Sequence, residues 1–427
     1  MSARPFEFCR RSLRGAVALA GAMALGALAR ASDDPLDRVE DALTASAFGG
    51  AVRGRLSGTV DLEGYQFQRP APGFIDTTDD HLVAPRLAWF LDAQLGAPVY
   101  FFAQARIDRG FDPSGDDLRV RLDEYALRIT PWSDGRFNVQ VGKFATVVGT
   151  WTARHNSWTN PFITAPLVYE NLTGVWDAEA LRSGGVLLQW SHVRPGLPAA
   201  IVAREKYMRI PVIWGPSYAS GIAVSGVWGR FGYAFEAKDA ALSSRPDTWS
   251  HTDDTWSHPT ISGRIAWRPD PTWNVGLSAS AGSYLRPFVG GTALAPGHGR
   301  GDYRQLVLGQ DVSFAWHHLQ VWTELYAARF EIPNVGHADT LAYYTEAKYK
   351  FAPQLFGALR WNQQLFGTIP DRGVATRWGR DAWRVDLAFG YRFTPHTQLK
   401  LQYNLQHGDA TGRTFSHLLS EQFTLRF

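Results

Sequence analysis

The chain has 427 residues, with 43 Lys and Arg against 40 Asp and Glu, a single cysteine and 13% aromatic residues. The near balance of charge excludes the strongly basic surface a nucleic-acid partner needs, and one cysteine excludes a disulfide framework and thiolate metal sites. Two domains would fit this length, yet no linker or shift in composition divides the chain.

Residues 1–31 read as an export signal. Arg4, Arg10, Arg11 and Arg14 make a basic start, Ala16 to Leu28 is apolar, and Ala29-Arg30-Ala31 has the small-x-small form of a cleavage site. The apolar run is short of the roughly 20 residues that span a bilayer as a helix. Cys9 lies inside this signal, so the processed chain would have no thiol. The signal also holds five arginines and one glutamate, and its loss leaves 38 basic against 39 acidic residues. Residues 32–51 follow as a short periplasmic segment. Asp34 would cap a helix with Pro35 at its first position, and Leu36, Val39 and Leu43 would share one side.

From Val52 the pattern changes to period two. Strands are expected at 52–68, 82–95, 99–111, 118–132, 137–149, 184–193, 199–208, 220–229, 232–243, 258–270, 273–287, 303–316, 319–332, 339–351, 355–367, 381–395, 398–409 and 414–427. That is about eighteen, with sixteen the alternative, because the alternation weakens over 199–243. Tight connections such as Gly96-Ala97-Pro98, His317-His318 and His396-Thr397 alternate with long ones such as 69–81 and 368–380. Short turns on one rim and long loops on the other mark a transmembrane antiparallel β-barrel over residues 52–427. The faces agree: Trp383, Val385, Leu387, Phe389 and Tyr391 share one side, and Arg384, Asp386, Ala388, Gly390 and Arg392 the other. A one-residue slip would carry both arginines into lipid at roughly 2–4 kcal/mol each near the midplane. Glu421 falls on the outward parity of the last strand, where a bulge or a subunit contact would be needed.

One stretch, 150–184, has no such alternation. Loops this long in compact folds are functional or disordered, and disordered segments are poor in aromatics. This one carries Trp151, Trp158, Phe162, Tyr169 and Trp176, interleaved with Arg154, His155, Glu170 and Asp177. It is expected to be ordered, to fold into the bore and to form the pore constriction. Charges on the inward parity of later strands, Arg264, Arg268, Glu324, Glu346, Lys348, Lys350, Arg360, Arg384, Asp386, Arg392 and Lys400, would line the pore. In a water-filled bore they need no buried partner, and their basic surplus suits a mild preference for anions.

The last residues, Phe423-Thr424-Leu425-Arg426-Phe427, resemble the C-terminal signal of Gram-negative outer-membrane barrels. Asn138 to Phe144, Leu308 to Phe314 leading to Leu319–Tyr326, and Tyr343 to Phe351 resemble strands of trimeric porins of the phosphate-selective O/P type. The resemblance implies an outer-membrane porin, recognition of Phe427 by the barrel-assembly machinery, a homotrimer, contact with outer-membrane lipid and lipopolysaccharide, and an inward third extracellular loop at the position of 150–184. It also implies sixteen strands.

The function expected is passive diffusion of small hydrophilic solutes. A substrate-specific channel is the first alternative, because aromatics on the loop suit the apolar faces of sugar rings in oligosaccharide uptake or polymer export. An outer-membrane barrel enzyme is the second. No nucleophile elbow and no His-x-x-x-His helix is legible, so neither catalysis, nor a metal, nor a cofactor is expected.

Overall fold

The computed structural model describes residues 34–108, 119–191, 206, 208–246, 256–286, 290–291, 294–408 and 414–427. The expected signal, residues 1–31, lies outside them. Sixteen antiparallel strands form a closed barrel: β1 (Val52–Phe67), β2 (His81–Leu95), β3 (Val99–Asp108), β4 (Arg119–Ile129), β5 (Asn138–Phe144), β6 (Ala219–Trp228), β7 (Phe231–Lys238), β8 (Thr260–Trp267), β9 (Trp273–Ser283), β10 (Arg304–Trp316), β11 (Leu319–Ile332), β12 (Gly336–Lys350), β13 (Leu355–Phe366), β14 (Ala382–Arg392), β15 (Thr397–His407) and β16 (Ser416–Arg426). Each pairs with the next in sequence. The last meets the first from Thr59 opposite Arg426 to Phe67 opposite Leu418, so no edge is left open.

The period-two pattern works as a sorting rule. Leu387, Phe389 and Tyr391 are exposed on the outside of β14, whereas Arg384, Asp386 and Ala388 are buried inside. Trp132, Trp228, Trp267, Trp273 and Trp316 are exposed at the short-turn rim, where an aromatic girdle meets the membrane interface.

The structure differs from the sequence expectation in the weak region. Residues 184–193, expected as a strand, form a helix at Gly184–Ser191. The run GGVLLQWS is short and mostly apolar without strict alternation, a pattern that buried helices and buried strands share. The expected strand at 199–208 lies almost wholly outside the described residues. The chain does not rejoin the barrel in between: β5 pairs directly with β6, from Asn138 opposite Ser225 to Phe144 opposite Ala219. The barrel therefore has sixteen strands, and the segment that leaves its wall runs from Ala145 to Tyr218, well beyond 150–184.

Smaller features add to the frame. Helix α1, Pro35–Ala42, has Asp34 as its cap, accepting from the Leu36 amide at 3.1 Å. Thr44–Ala47 then adds a short strand alongside β1. The helix meets the last short turn, where Asp37 lies 2.8 Å from Nε2 of buried His396. At the opposite rim, Val175, Leu181, Leu187, Ile210, Tyr284, Phe330 and Trp378 form an apolar cluster within the barrel mouth. Glu421 faces outward midway along β16, opposite Gly64 and Leu401, and the register passes it without a bulge.

Candidate functional site: an inward loop and the passage beside it

A segment without regular structure must still satisfy its backbone amides and carbonyls when it is buried. Here the barrel wall does this, with acceptors first and donors afterwards. Where the loop leaves β5, three wall carboxylates take its N–H groups. Glu124 accepts from the Ala145 amide at 2.8 Å. Glu236 accepts from the Thr146 hydroxyl at 2.6 Å and the Val147 amide at 3.2 Å. Glu324 accepts from the amides of Thr150 at 2.5 Å and Trp151 at 2.9 Å, and from the Tyr169 hydroxyl at 2.6 Å. Consecutive amides turned toward one oxygen make an anion cradle. Gly149 makes this approach possible. Its φ is +74°, and a β-carbon there would lie 2.1 Å from the Tyr326 hydroxyl.

Farther along, cations take the loop's carbonyls. Nζ of Lys400, fully buried, donates to Ser157 at 2.8 Å, Asn160 at 3.1 Å and Phe162 at 3.3 Å. Arg360 donates to Thr164 at 2.9 Å and Ala165 at 3.2 Å while pairing with Asp386 at 2.6 Å. Arg384 binds Glu170 and the Ala165 carbonyl. Uncharged side chains fill in: the Gln402 amide oxygen accepts from Ile163 at 2.5 Å, and that of Asn362 from Leu167 at 3.2 Å.

The inward charges expected to stand in water are thus placed differently. Glu324, Glu346, Arg360, Arg384, Asp386 and Lys400 do face inward, but they lie buried beneath the loop, each with a partner. Charges removed from water need this degree of pairing, because their desolvation costs several kcal/mol each. Arg264 pairs with Asp311 on the wall. Lys348 stacks over Phe356. Arg268 and Lys350 are exposed at the short-turn rim.

The loop residues singled out in the sequence fall into three groups. Arg154 pairs with Glu346 and lies over the Trp322 ring at 4.3 Å; Trp158 is flanked by Arg392 at 4.8 Å and Arg426 at 4.3 Å; Phe162 packs beneath Arg360 at 4.2 Å. These, with Tyr169 and Glu170, fasten the loop to strands between β11 and β16. Trp176 and Asp177 belong to the mouth, where Trp176 packs against the apolar cluster and Asp177 pairs with Arg286 at 3.1 Å. Trp151 and His155 face the open side.

That open side is a cavity of about 450 Å³ between the loop and the wall of β1–β4. The wall carries a belt of arginines on neighbouring strands: Arg86, Arg106 and Arg121, the last two directly opposite each other. Carboxylates sit behind them. Arg86 meets Glu63 at 3.2 Å, Arg106 meets Asp123 at 2.9 Å, and Arg121 meets Asp108 at 2.8 Å. Asp123 owes its position to a bulge: Gln104 faces Glu124 and Ala105 faces Leu122, so Asp123 is the extra residue. The guanidiniums keep 16–20% of their side-chain surface and these carboxylates 1–4%. A solute in the cavity would meet the cations first. Across from them, His155 donates from Nδ1 to the Thr152 carbonyl at 2.5 Å and accepts at Nε2 from the Tyr218 hydroxyl at 2.7 Å. Burial pushes its pKa down to about 4, and the nearby Arg106 adds to this. The ring is therefore neutral near pH 7.

The belt is absent from the set read off the sequence, which was drawn from the later strands. Its signal was present: Arg106 and Asp108, then Arg119, Arg121 and Asp123, repeat at period two. What the sequence lacked was any sign that the loop would cover the later strands and leave the early ones open.

No family model matches the chain, and no curated protein matches it. Its fold is similar to those of solved outer-membrane channels. Against OmpF of Salmonella typhi, solved with daunomycin, the TM-score is 0.55 at 10% identity, covering 90% of this chain and 100% of that one. Against an anion-selective porin from Comamonas acidovorans it is 0.51 at 12% identity, covering 88% and 100%. Against the outer-membrane channel DcaP of Acinetobacter baumannii it is 0.51 at 8% identity, covering 90% and 99%. At these identities the likeness is one of fold: an all-β barrel of the outer-membrane porin type.

Proposed function

We propose that the chain is a porin of a Gram-negative outer membrane, giving small hydrophilic solutes a passive path through the gap between the inward loop and the arginine belt. The observation that carries this reading is the division of the bore. One half is filled and cross-linked by the loop, and the other keeps a cavity onto which partly exposed guanidiniums open. Wet cationic linings favour anions, so the path is mildly anion-preferring. The anion-selective porin among its structural relatives supports this, as does the O/P-type resemblance of the strand sequences. Neither makes phosphate the solute.

Two partner assignments accompany the reading. Phe427, whose amide and carbonyl pair with Gly58 at 3.0 and 2.8 Å, would be the residue recognised by the assembly machinery. Glu421, outward and midway along β16, suits a contact between copies in a homotrimer better than lipid.

Planar-bilayer recording tests the channel. A salt gradient should give a reversal potential of anion-preferring sign, and deletion of Trp158 to Val175 should raise the conductance. A cation-preferring potential would sink the role of the belt, and unchanged conductance in a folded deletion variant would sink the constriction.

A further inference from the structure

An open bore should present polar residues at every inward position, and this one does not. Reading β1 inward from the long-loop end gives Phe67, Tyr65, Glu63, Asp61 and Thr59; reading β2 gives Leu82, Ala84, Arg86, Ala88 and Phe90. Tyr65, Phe67, Ile75 and Leu82 form an apolar cluster inside the barrel, with Ile163 of the loop packed against it. Phe90 lies past the belt toward the short-turn rim, opposite Gln104. Trp151 lines the cavity from the loop. The guanidiniums are thus bracketed along the path by aromatic and aliphatic surface. Most of the apolar cluster is buried, and Phe90 and Ile163 keep apolar surface facing the cavity, from which a simple inorganic ion gains nothing. Guanidiniums grip carboxylates with paired hydrogen bonds. The cavity volume falls in the range that holds one small organic molecule.

We propose that this passage selects organic carboxylates with an aromatic or comparably apolar body. The carboxylate rests on Arg86, Arg106 and Arg121, and the ring lies against Phe90 on one side of the belt or Ile163 on the other. The proposal rests on the channel reading above and gives it a solute class. No bond is made or broken: the solute passes through two half-sites, one charged and one apolar, and each is weak enough to release it.

The test uses the whole protein in planar bilayers and in proteoliposomes. Benzoate, acetate, inorganic phosphate and neutral benzyl alcohol are compared as added solutes. Benzoate should reduce the chloride current, and should saturate its own flux, at concentrations about tenfold below acetate, equivalent to about 1.4 kcal/mol. Phosphate should behave no better than acetate, and benzyl alcohol should leave the current unchanged. Phe90→Ala should bring benzoate to the level of acetate with anion preference kept. Arg106→Gln should weaken both carboxylates together. Equal benzoate and acetate in a protein that conducts chloride overturns the solute class and leaves the porin reading standing. Stronger effects of phosphate than of benzoate overturn it in favour of an inorganic-anion path. A folded barrel with no conductance in potassium chloride overturns both readings.

Discussion

Replacing Gly149 by alanine should unseat the inward loop at its root and leave the barrel standing. Two separate costs arise at that position. The backbone is left-handed, with φ of +74°, which costs an alanine roughly 1–2 kcal/mol. The new β-carbon would also lie 2.1 Å from the Tyr326 hydroxyl and 2.9 Å from both the Glu324 carboxylate and the Tyr169 hydroxyl. None of these can retreat freely, since Glu324 and Tyr326 sit on the wall and Tyr169 packs on Trp151 at 4.5 Å between ring centres. Relief requires the turn to move, and the amides of Thr150 and Trp151 then leave the carboxylate. Hydrogen bonds to a charged group contribute about 1.5–3 kcal/mol each, so losing two adds roughly 3–6 kcal/mol. Gly215→Ala is the matched control: its φ is +48°, and nothing lies within 4 Å of the added carbon. It carries the strain without the collision. Single-channel conductance and protease cleavage between Trp151 and Val175 report the loop, and heat-modifiable gel mobility reports the barrel. Gly149→Ala should give larger, noisier openings and faster cleavage at unchanged mobility, whereas Gly215→Ala should remain near wild type. Equal behaviour of the two variants would refute the idea that the Glu324 cradle holds the loop.

Other perturbations probe the same arrangement. Lys400→Met leaves three loop carbonyls without their donor; set against the relief of burying one fewer ammonium, about 2–4 kcal/mol of loop protection should disappear in hydrogen exchange. Acid should loosen the loop through His155. Its folded pKa of about 4 lies below the ordinary 6.5, so the neutral ring stabilises the seated loop above pH 6.5, and this contribution fades as the pH falls from 6.5 toward 4. The full loss is at most about 3–4 kcal/mol. Loop exchange measured between pH 7 and pH 4 should show it, and His155→Gln should flatten the profile. Glu421→Leu should lower the temperature at which oligomers dissociate on semi-native gels. Unchanged oligomers with a more heat-stable barrel would instead place Glu421 against lipid.

The barrel was legible because its sequence obeys one simple partition. Outward Leu387, Phe389 and Tyr391 against inward Arg384 and Asp386 state it without reference to any distant contact. The inward loop was legible as a break in that rule. Its extent was not, because GGVLLQWS has no alternation to betray whether it is helix or strand. The setting of the charges was hidden for a different reason. Lys400 reads as inward from parity alone, but its neighbours Ser157, Asn160 and Phe162 are more than two hundred positions away. No local pattern says that a loop, rather than water, will stand in front of it. The arginine belt follows from the same blindness in reverse: parity marks Arg106 and Arg121 as inward, and only the course of the loop leaves them uncovered. The bulge also lets Asp123 and Glu124, adjacent in sequence, both face inward, which parity alone does not allow.

The loop's partners are supplied in an order that bears on biogenesis. Glu124 precedes it in the chain, whereas Glu236, Glu324, Arg360, Arg384 and Lys400 follow. A nascent barrel inserted strand by strand would carry this segment half-solvated until the closing hairpins arrive. Seating of the loop would then register completion of the wall, and an unfinished barrel would remain wide and leaky until its final strands were in place.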